Sequence, residues 1–270
     1  MDIETKPPCA VLGPAEILTE GIEVGLTGHE KMAGYLARPV IPGPHPGVVV
    51  AHELFGVTAH VRDVCERLAS HGYVALAPDF YHRSSPGADL PHDPGGRERG
   101  FALLHQLRRE ECLADAAAAV DQLRRTGSAR VGMIGLSLGG HVAYLAATGL
   151  ELAAVAALYP GWVTGTEIGL SRPEPTLTLT GSIRARMLIL AGQEDHAVPA
   201  GDMQSIEDAL SAAGVRHEVV RYPDTPHGFL CDRRDTFRPV AADDAWRRIE
   251  ALLAEELGGT DMRPAAEAPA

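Results

Sequence analysis

Residues 130–149 read RVGMIGLSLGGHVAYLAATG. The apolar run Val131–Ile134 has the makeup of a buried strand, and the apolar stretch His141–Gly149 suits a helix. Between them lies Gly135-Leu136-Ser137-Leu138-Gly139-Gly140. G-x-S-x-G between a strand and a helix is a sharp, strained turn that lifts its central serine clear of the sheet. Side chains two residues before and after that serine would collide, which accounts for Gly135 and Gly139. Ser137 Oγ then stands above the carboxyl edge of the sheet, at a helix N-terminus whose dipole favours developing negative charge. The competing reading is a glycine-rich turn in which Ser137 only caps the helix. A dinucleotide-binding loop is disfavoured, because G-x-G-x-x-G is missing here.

Outward from this turn, short apolar runs alternate with helix-like stretches. Strands are expected near Ile22–Leu26, Met32–Ala37, Gly47–Ala51, Tyr73–Ala77, Val131–Ile134, Ala154–Leu158, Met187–Leu190 and His217–Tyr222. GVVVA and MLIL are continuous apolar runs, as a parallel sheet buried on both faces requires. Val61, Val64, Cys65, Leu68 and Ala69 recur at helical spacing, as do Met203, Ile206 and Leu210, and an amphipathic segment closes the chain over 241–257. The pattern predicts an α/β fold, a mostly parallel eight-stranded sheet with helices on both faces. The first two strands, joined by the short turn TGHE, are expected to form an antiparallel hairpin at one edge. Residues 15–257 are expected to form one domain, with flexible tails at 1–14 and 258–270. Ser84–Gly96 and Pro160–Ser182 are rich in turn-forming residues and are expected to be long loops at the site.

A serine nucleophile needs a base, and the base needs a carboxylate to orient it. Asp195 follows the buried strand RMLILAG, and His227 lies on the loop after HEVVRYP. The order Ser137, Asp195, His227, each just past the end of a strand, is that of an acyl-transfer triad. The bland readings are a helix cap for Asp195 and a surface histidine for His227. His52-Glu53-Leu54-Phe55-Gly56 begins like a zinc-binding H-E-x-x-H but lacks the second histidine, and no metal site or cofactor is expected. His141 and His196 neighbour the expected site without an identifiable partner.

Composition narrows the setting. Asp plus Glu number 36 against 24 Lys plus Arg, a formal charge of −12, and only Lys6 and Lys31 are lysines. That field disfavours nucleic acid and anionic membranes as partners. The four cysteines are scattered without C-x-x-C, no apolar run is long enough to span a membrane, and the N-terminus lacks a secretory signal. A cytoplasmic protein, monomer or homodimer, acting on a small molecule is the expectation.

HELFGV at 52–57, RLASHGYVALAPDFYHR at 67–83, GLSLGG at 135–140, GQEDHAVP at 192–199 and HGF at 227–229 resemble the dienelactone hydrolase (carboxymethylenebutenolidase) family over residues 20–257. The resemblance implies a small, lidless α/β-hydrolase that opens a lactone or ester through an acyl-enzyme. It puts Ser137 at the nucleophile position, Asp195 at the acid and His227 at the base. Glu53 matches a glutamate that contacts the nucleophile, and the backbone N–H groups of Leu54 and Leu138 match the oxyanion hole. The family's usual nucleophile is cysteine, and here it is serine. Dienelactone-specific members hold a substrate carboxylate with two arginines. Arg97 and Arg99 fall in the segment of one; the other lies four residues after the histidine, where this chain has Cys231, with Arg233 two residues on. Tyr81 and Trp162 are further pocket candidates. A related ester, lactone or thioester is expected before dienelactone itself, with a peptide or carbon–carbon bond, or binding without turnover, as alternatives.

Overall fold

The computed structural model describes residues 16–258, so the expected tails lie outside the described residues apart from Gly258, which closes the last helix. Among these residues, eight strands form one sheet: β1 (Ile17–Gly25), β2 (Lys31–Pro39), β3 (Gly47–Ala51), β4 (Val74–Pro78), β5 (Val131–Leu136), β6 (Ala154–Leu158), β7 (Arg186–Gly192) and β8 (His217–Tyr222). Their order is β1-β2-β4-β3-β5-β6-β7-β8. β1 and β2 form the expected edge hairpin, which docks on β4 through a second antiparallel pairing; every other neighbour is parallel. β1 begins five residues earlier than its apolar pattern suggests. Most of its residues are exposed, Leu18 included, so residue-by-residue pairing with β2, not burial, sets its length.

Among the described residues, six helices surround the sheet: α1 (Ala59–Ser70), α2 (Pro94–Leu104), α3 (Arg109–Arg125), α4 (Leu138–Gly149), α5 (Ala200–Ala212) and α6 (Pro239–Leu257). α1 packs on β2 and β4, α3 on β3 and β4, α4 on β5 and β6, and α6 on β5, β6 and β7. Arg67 of α1 donates to Glu250 of α6 at 2.9 Å and stacks over Trp246. The strands β3, β5 and β6 are buried at every residue, which explains why their sequences show no alternation.

Two segments depart from the sequence expectation. The loop after β4 ends at Asp93, whose carboxylate caps the Gly96 N–H at 2.7 Å; Pro94 then starts α2. The long segment 160–182 is a loop, but one wound into short 3-10 turns at Gly169–Ser171 and Thr176–Ser182 and fastened from below. Buried Arg109 donates to the carbonyls of Leu170 and Glu174, and His141 and Tyr144 of α4 bond to Thr176 and Thr180. Among the described residues, no helix is long and apolar enough to cross a membrane.

Because β3, β5, β7 and β8 run parallel, their carboxyl ends share one edge of the sheet. The residues after those ends are Glu53, Ser137, Asp195 and His227.

Candidate active site

Ser137 sits between β5 and α4 at φ 56°, ψ −113°, a left-handed conformation that strains a residue with a side chain. Neighbours enforce the turn. A Cβ on Gly135 would lie 1.9 Å from the Gly139 carbonyl oxygen, and one on Gly139 would lie 2.1 Å from that of Ala51. Both glycines are therefore obligatory for contact reasons, as the spacing implied.

The structure brings Ser137, His227 and Asp195 into one hydrogen-bonded line. Ser137 Oγ lies 2.8 Å from His227 Nε2, and His227 Nδ1 lies 2.8 Å from Asp195 Oδ2. The Asp195 carboxylate, wholly buried at its side chain, also accepts the N–H groups of Ala197 and Val198 at 2.8 and 3.0 Å. An acceptor-only carboxylate requires the proton on Nδ1, which leaves Nε2 free to accept the serine hydroxyl. Behind the imidazole, the Tyr159 ring packs edge-on at 4.9 Å and touches Phe229 in turn. Tyr159 and Trp162 both hold positive φ, so the turn after β6 is strained on the side facing the site.

Ser137 and His227 open on a cleft of about 540 Å³. The N–H groups of Leu54 and Leu138 donate to no acceptor among the described residues, although both residues are buried. Leu54 lines the cleft, and Leu138 directly follows the serine as the first residue of α4. Two uncommitted amides beside an activated hydroxyl can receive an oxyanion.

The other candidates sort less simply. Glu53 is buried beside the cleft, but it makes no hydrogen bond to Ser137; its Oε1 accepts from Arg234 Nη1 at 3.3 Å. Glu53 and Ser137 line the same cleft without a hydrogen bond between them: Ser137 Oγ is bonded to His227, and Arg234 pairs with Glu53 Oε1. Arg97 reaches the cleft from α2, whereas Arg99, two residues along the same helix, does not, because residues at that spacing face apart. Arg233 borders the cleft but is bound to Asp63 at 2.6 Å. Tyr81 is no pocket residue: it is fully buried and its hydroxyl donates to the Leu54 carbonyl at 3.0 Å. Trp162 does line the cleft, meeting Phe101 edge-to-face at 6.3 Å. His196 lines it as well, while His141 is buried beneath the loop it fastens.

Arg234 is a cleft residue that the sequence pattern does not mark. It stacks over Phe55 at 4.9 Å and carries the charge opposite Glu53. In the turn Asp232-Arg233-Arg234-Asp235 the two arginines project differently, and no spacing rule distinguishes them. Cys231 is buried, and burial pushes its thiol up to about 11, far from a reactive thiolate.

The model of the dienelactone hydrolase family matches residues 32–257. A Synechocystis sp. relative named "Putative carboxymethylenebutenolidase" is 39% identical over 234 residues, covering 84% of this chain and 93% of its own. "Carboxymethylenebutenolidase" of Pseudomonas putida is 34% identical over 218 residues, covering 79% and 86%. Among solved structures, a "Putative Dienelactone Hydrolase" from Klebsiella pneumoniae subsp. pneumoniae superposes with a TM-score of 0.81 at 30% identity, over 89% of this chain and 99% of that one.

Proposed function

The chain belongs to the dienelactone hydrolase family, and on that premise we propose that it opens a small carboxylic ester or lactone through a serine acyl-enzyme. Ser137 Oγ attacks the carbonyl carbon while His227 Nε2 takes its proton. Asp195, held by its two backbone donors, keeps the imidazole in the required tautomer and steadies the imidazolium that forms. The negative oxygen of the tetrahedral intermediate is received by the amides of Leu54 and Leu138, each worth roughly 100- to 1000-fold in rate. Collapse returns the proton to the departing alkoxide, which in a lactone remains tethered to the acyl group. Water then repeats the sequence, and the acid leaves.

The observation that carries this reading is the unbroken Ser137–His227–Asp195 relay at a strained turn opening on the cleft. The cleft wall also bears on the substrate. Phe55, Phe101 and Trp162 offer an apolar, aromatic side, and Arg97 is a cleft arginine without an ion-pair partner among the described residues. An ester with an apolar body and a polar or anionic end matches that layout.

A fluorophosphonate probe is expected to label Ser137, and Ser137→Ala is expected to abolish both labelling and ester hydrolysis. Ester turnover undiminished in Ser137→Ala overturns the proposal. Thiol reagents are expected to leave activity intact, consistent with the burial of Cys65, Cys112 and Cys231.

A further inference from the structure

His52 is used by none of the steps above, yet both of its ring nitrogens are committed. Nδ1 lies 2.7 Å from the carbonyl oxygen of Glu53, and Nε2 accepts the Phe80 N–H at 3.2 Å. An N–H donor at Nε2 fixes that nitrogen as the acceptor, so Nδ1 carries the proton and donates to Glu53. The ring is buried and packs against Phe80 and Tyr81 at 5.6 and 4.8 Å. Burial pushes the imidazole below its ordinary value, so the neutral form that serves both bonds is the one present near neutral pH.

The carbonyl that His52 holds belongs to the same peptide as the Leu54 N–H. In a trans peptide the C=O and N–H point to opposite sides. The Glu53 oxygen also accepts from the Gly56 N–H at 3.2 Å, so that side of the peptide is anchored twice. The Leu54 N–H must then face away from His52, on the side where Leu54 meets the cleft. The next carbonyl, that of Leu54, is held by the Tyr81 hydroxyl. Tyr81 is itself fixed, its N–H donating to Asp79 Oδ1 at 3.0 Å while Asp79 Oδ2 accepts from Gly87 at 2.7 Å.

We infer that His52 is a positioning residue for the reaction, aiming the Leu54 amide at the developing oxyanion, with the Tyr81 hydroxyl as the second pin. The inference rests on Leu54 acting as an oxyanion donor in the proposed hydrolysis. Two effects follow from the arrangement. A donor fixed in advance needs no reorganisation as charge develops. A peptide whose carbonyl accepts two hydrogen bonds is also polarised, which strengthens its N–H as a donor by roughly 10–30%. Neither effect improves binding of the uncharged ground-state ester, so both belong in kcat rather than KM.

The test compares His52→Leu, His52→Asn and Tyr81→Phe with the wild type, using a p-nitrophenyl ester panel, fluorophosphonate labelling and thermal melting. His52→Leu is expected to lower kcat about 100-fold with KM held within about threefold. Asparagine carries an amide N–H close to the Nδ1 position and is expected to recover kcat to within about tenfold of wild type. Tyr81→Phe removes one hydroxyl and is expected to lower kcat roughly threefold to tenfold. If His52→Leu does not fold, the other two variants carry the comparison. Wild-type kcat in folded His52→Leu overturns the inference, as does wild-type kcat in Tyr81→Phe where His52→Leu does not fold, or a loss in folded His52→Leu that appears only in KM. A wild type that neither labels nor turns over esters defeats the functional reading instead, and the two failures are thus told apart.

Discussion

The floor of the cleft and its mouth are built on different terms. On the floor, Ser137, Asp195 and the Leu54 peptide are buried; the Ser137 hydroxyl, the Asp195 carboxylate and the Leu54 carbonyl have partners on a strand end or a neighbouring loop, and the Leu54 N–H is left free. At the mouth, Phe101 is 38% exposed, Arg97 projects from a helix surface, and Arg233 is drawn outward to Asp63. Reaction geometry tolerates little displacement, so it is fixed by the sheet. Recognition of a substrate body tolerates more, and it is left to a helix and loops. Changes to the floor are therefore expected to act on turnover for every substrate, and changes to the mouth to act selectively.

The largest effect is expected for Asp195→Asn. The amide keeps the shape and an acceptor for Ala197 and Val198, but it can present its NH2 to His227 and favour the wrong tautomer. A fall of about 10⁴-fold in kcat is expected across an ester panel, with the melting temperature little changed. Activity within tenfold of wild type breaks the assignment of the floor to proton transfer. Gly139→Ala comes next, and acts on the fold first: its methyl would enter the Ala51 carbonyl at 2.1 Å and the His52 carbonyl at 2.7 Å. Destabilisation of about 3 kcal/mol or more is expected in denaturant melts, because backbone atoms on both sides cannot yield. A variant as stable as wild type contradicts the close packing described for the elbow.

The same division explains what the sequence disclosed. The positions of Ser137, Asp195 and His227 were legible because each lies just past the end of a strand, and because contact geometry restricts Gly135 and Gly139 to glycine. The buried strands were legible from their apolar runs, whereas the first half of β1 is exposed and carries no such run. Arg234 was not legible, since two adjacent arginines in one turn look alike until the backbone orients them. Nor was the inward role of Tyr81, which resembled a pocket aromatic and proved to be a pin on a carbonyl. Glu53 shows the limit of a motif: its position was marked, but its partner comes from a loop 181 residues away.

Beneath the mouth, the loop of Trp162 is fastened through His141, and this fastening is expected to depend on acid. Burial holds the His141 imidazole down at about 3, with Arg109 adding to the effect, while the Nδ1–H donates to Gly161 and Nε2 accepts from Thr176. Between the ordinary value near 6.5 and about 3, the unfolded chain binds a proton that the folded chain refuses. Stability must then fall as pH drops through that window, by up to about 1.4 kcal/mol per unit from this group. His141→Asn, which can still donate to Gly161, is expected to show a flatter acid limb in urea melts between pH 6.5 and 4. Equal slopes for variant and wild type would mean that the imidazole takes up its proton without leaving its site.

The smallest effect sharpens the contrast most, because it compares two arginines on one helix. Arg97 borders the cleft and Arg99 does not, although both are exposed on α2. For esters bearing a carboxylate on the acyl group, Arg97→Ala is expected to raise KM severalfold, up to about tenfold, with kcat nearly constant. For neutral esters of the same size it is expected to change neither constant. Arg99→Ala is expected to match wild type on both series, since a residue two positions along a helix faces elsewhere. The net charge of −12 opposes every anion approaching the molecule, so the selective loss should shrink as salt screens that field and the arginine alike. Equal KM values for the two variants on the carboxylate series would remove Arg97 from recognition and leave selectivity to the aromatic wall of Phe101 and Trp162.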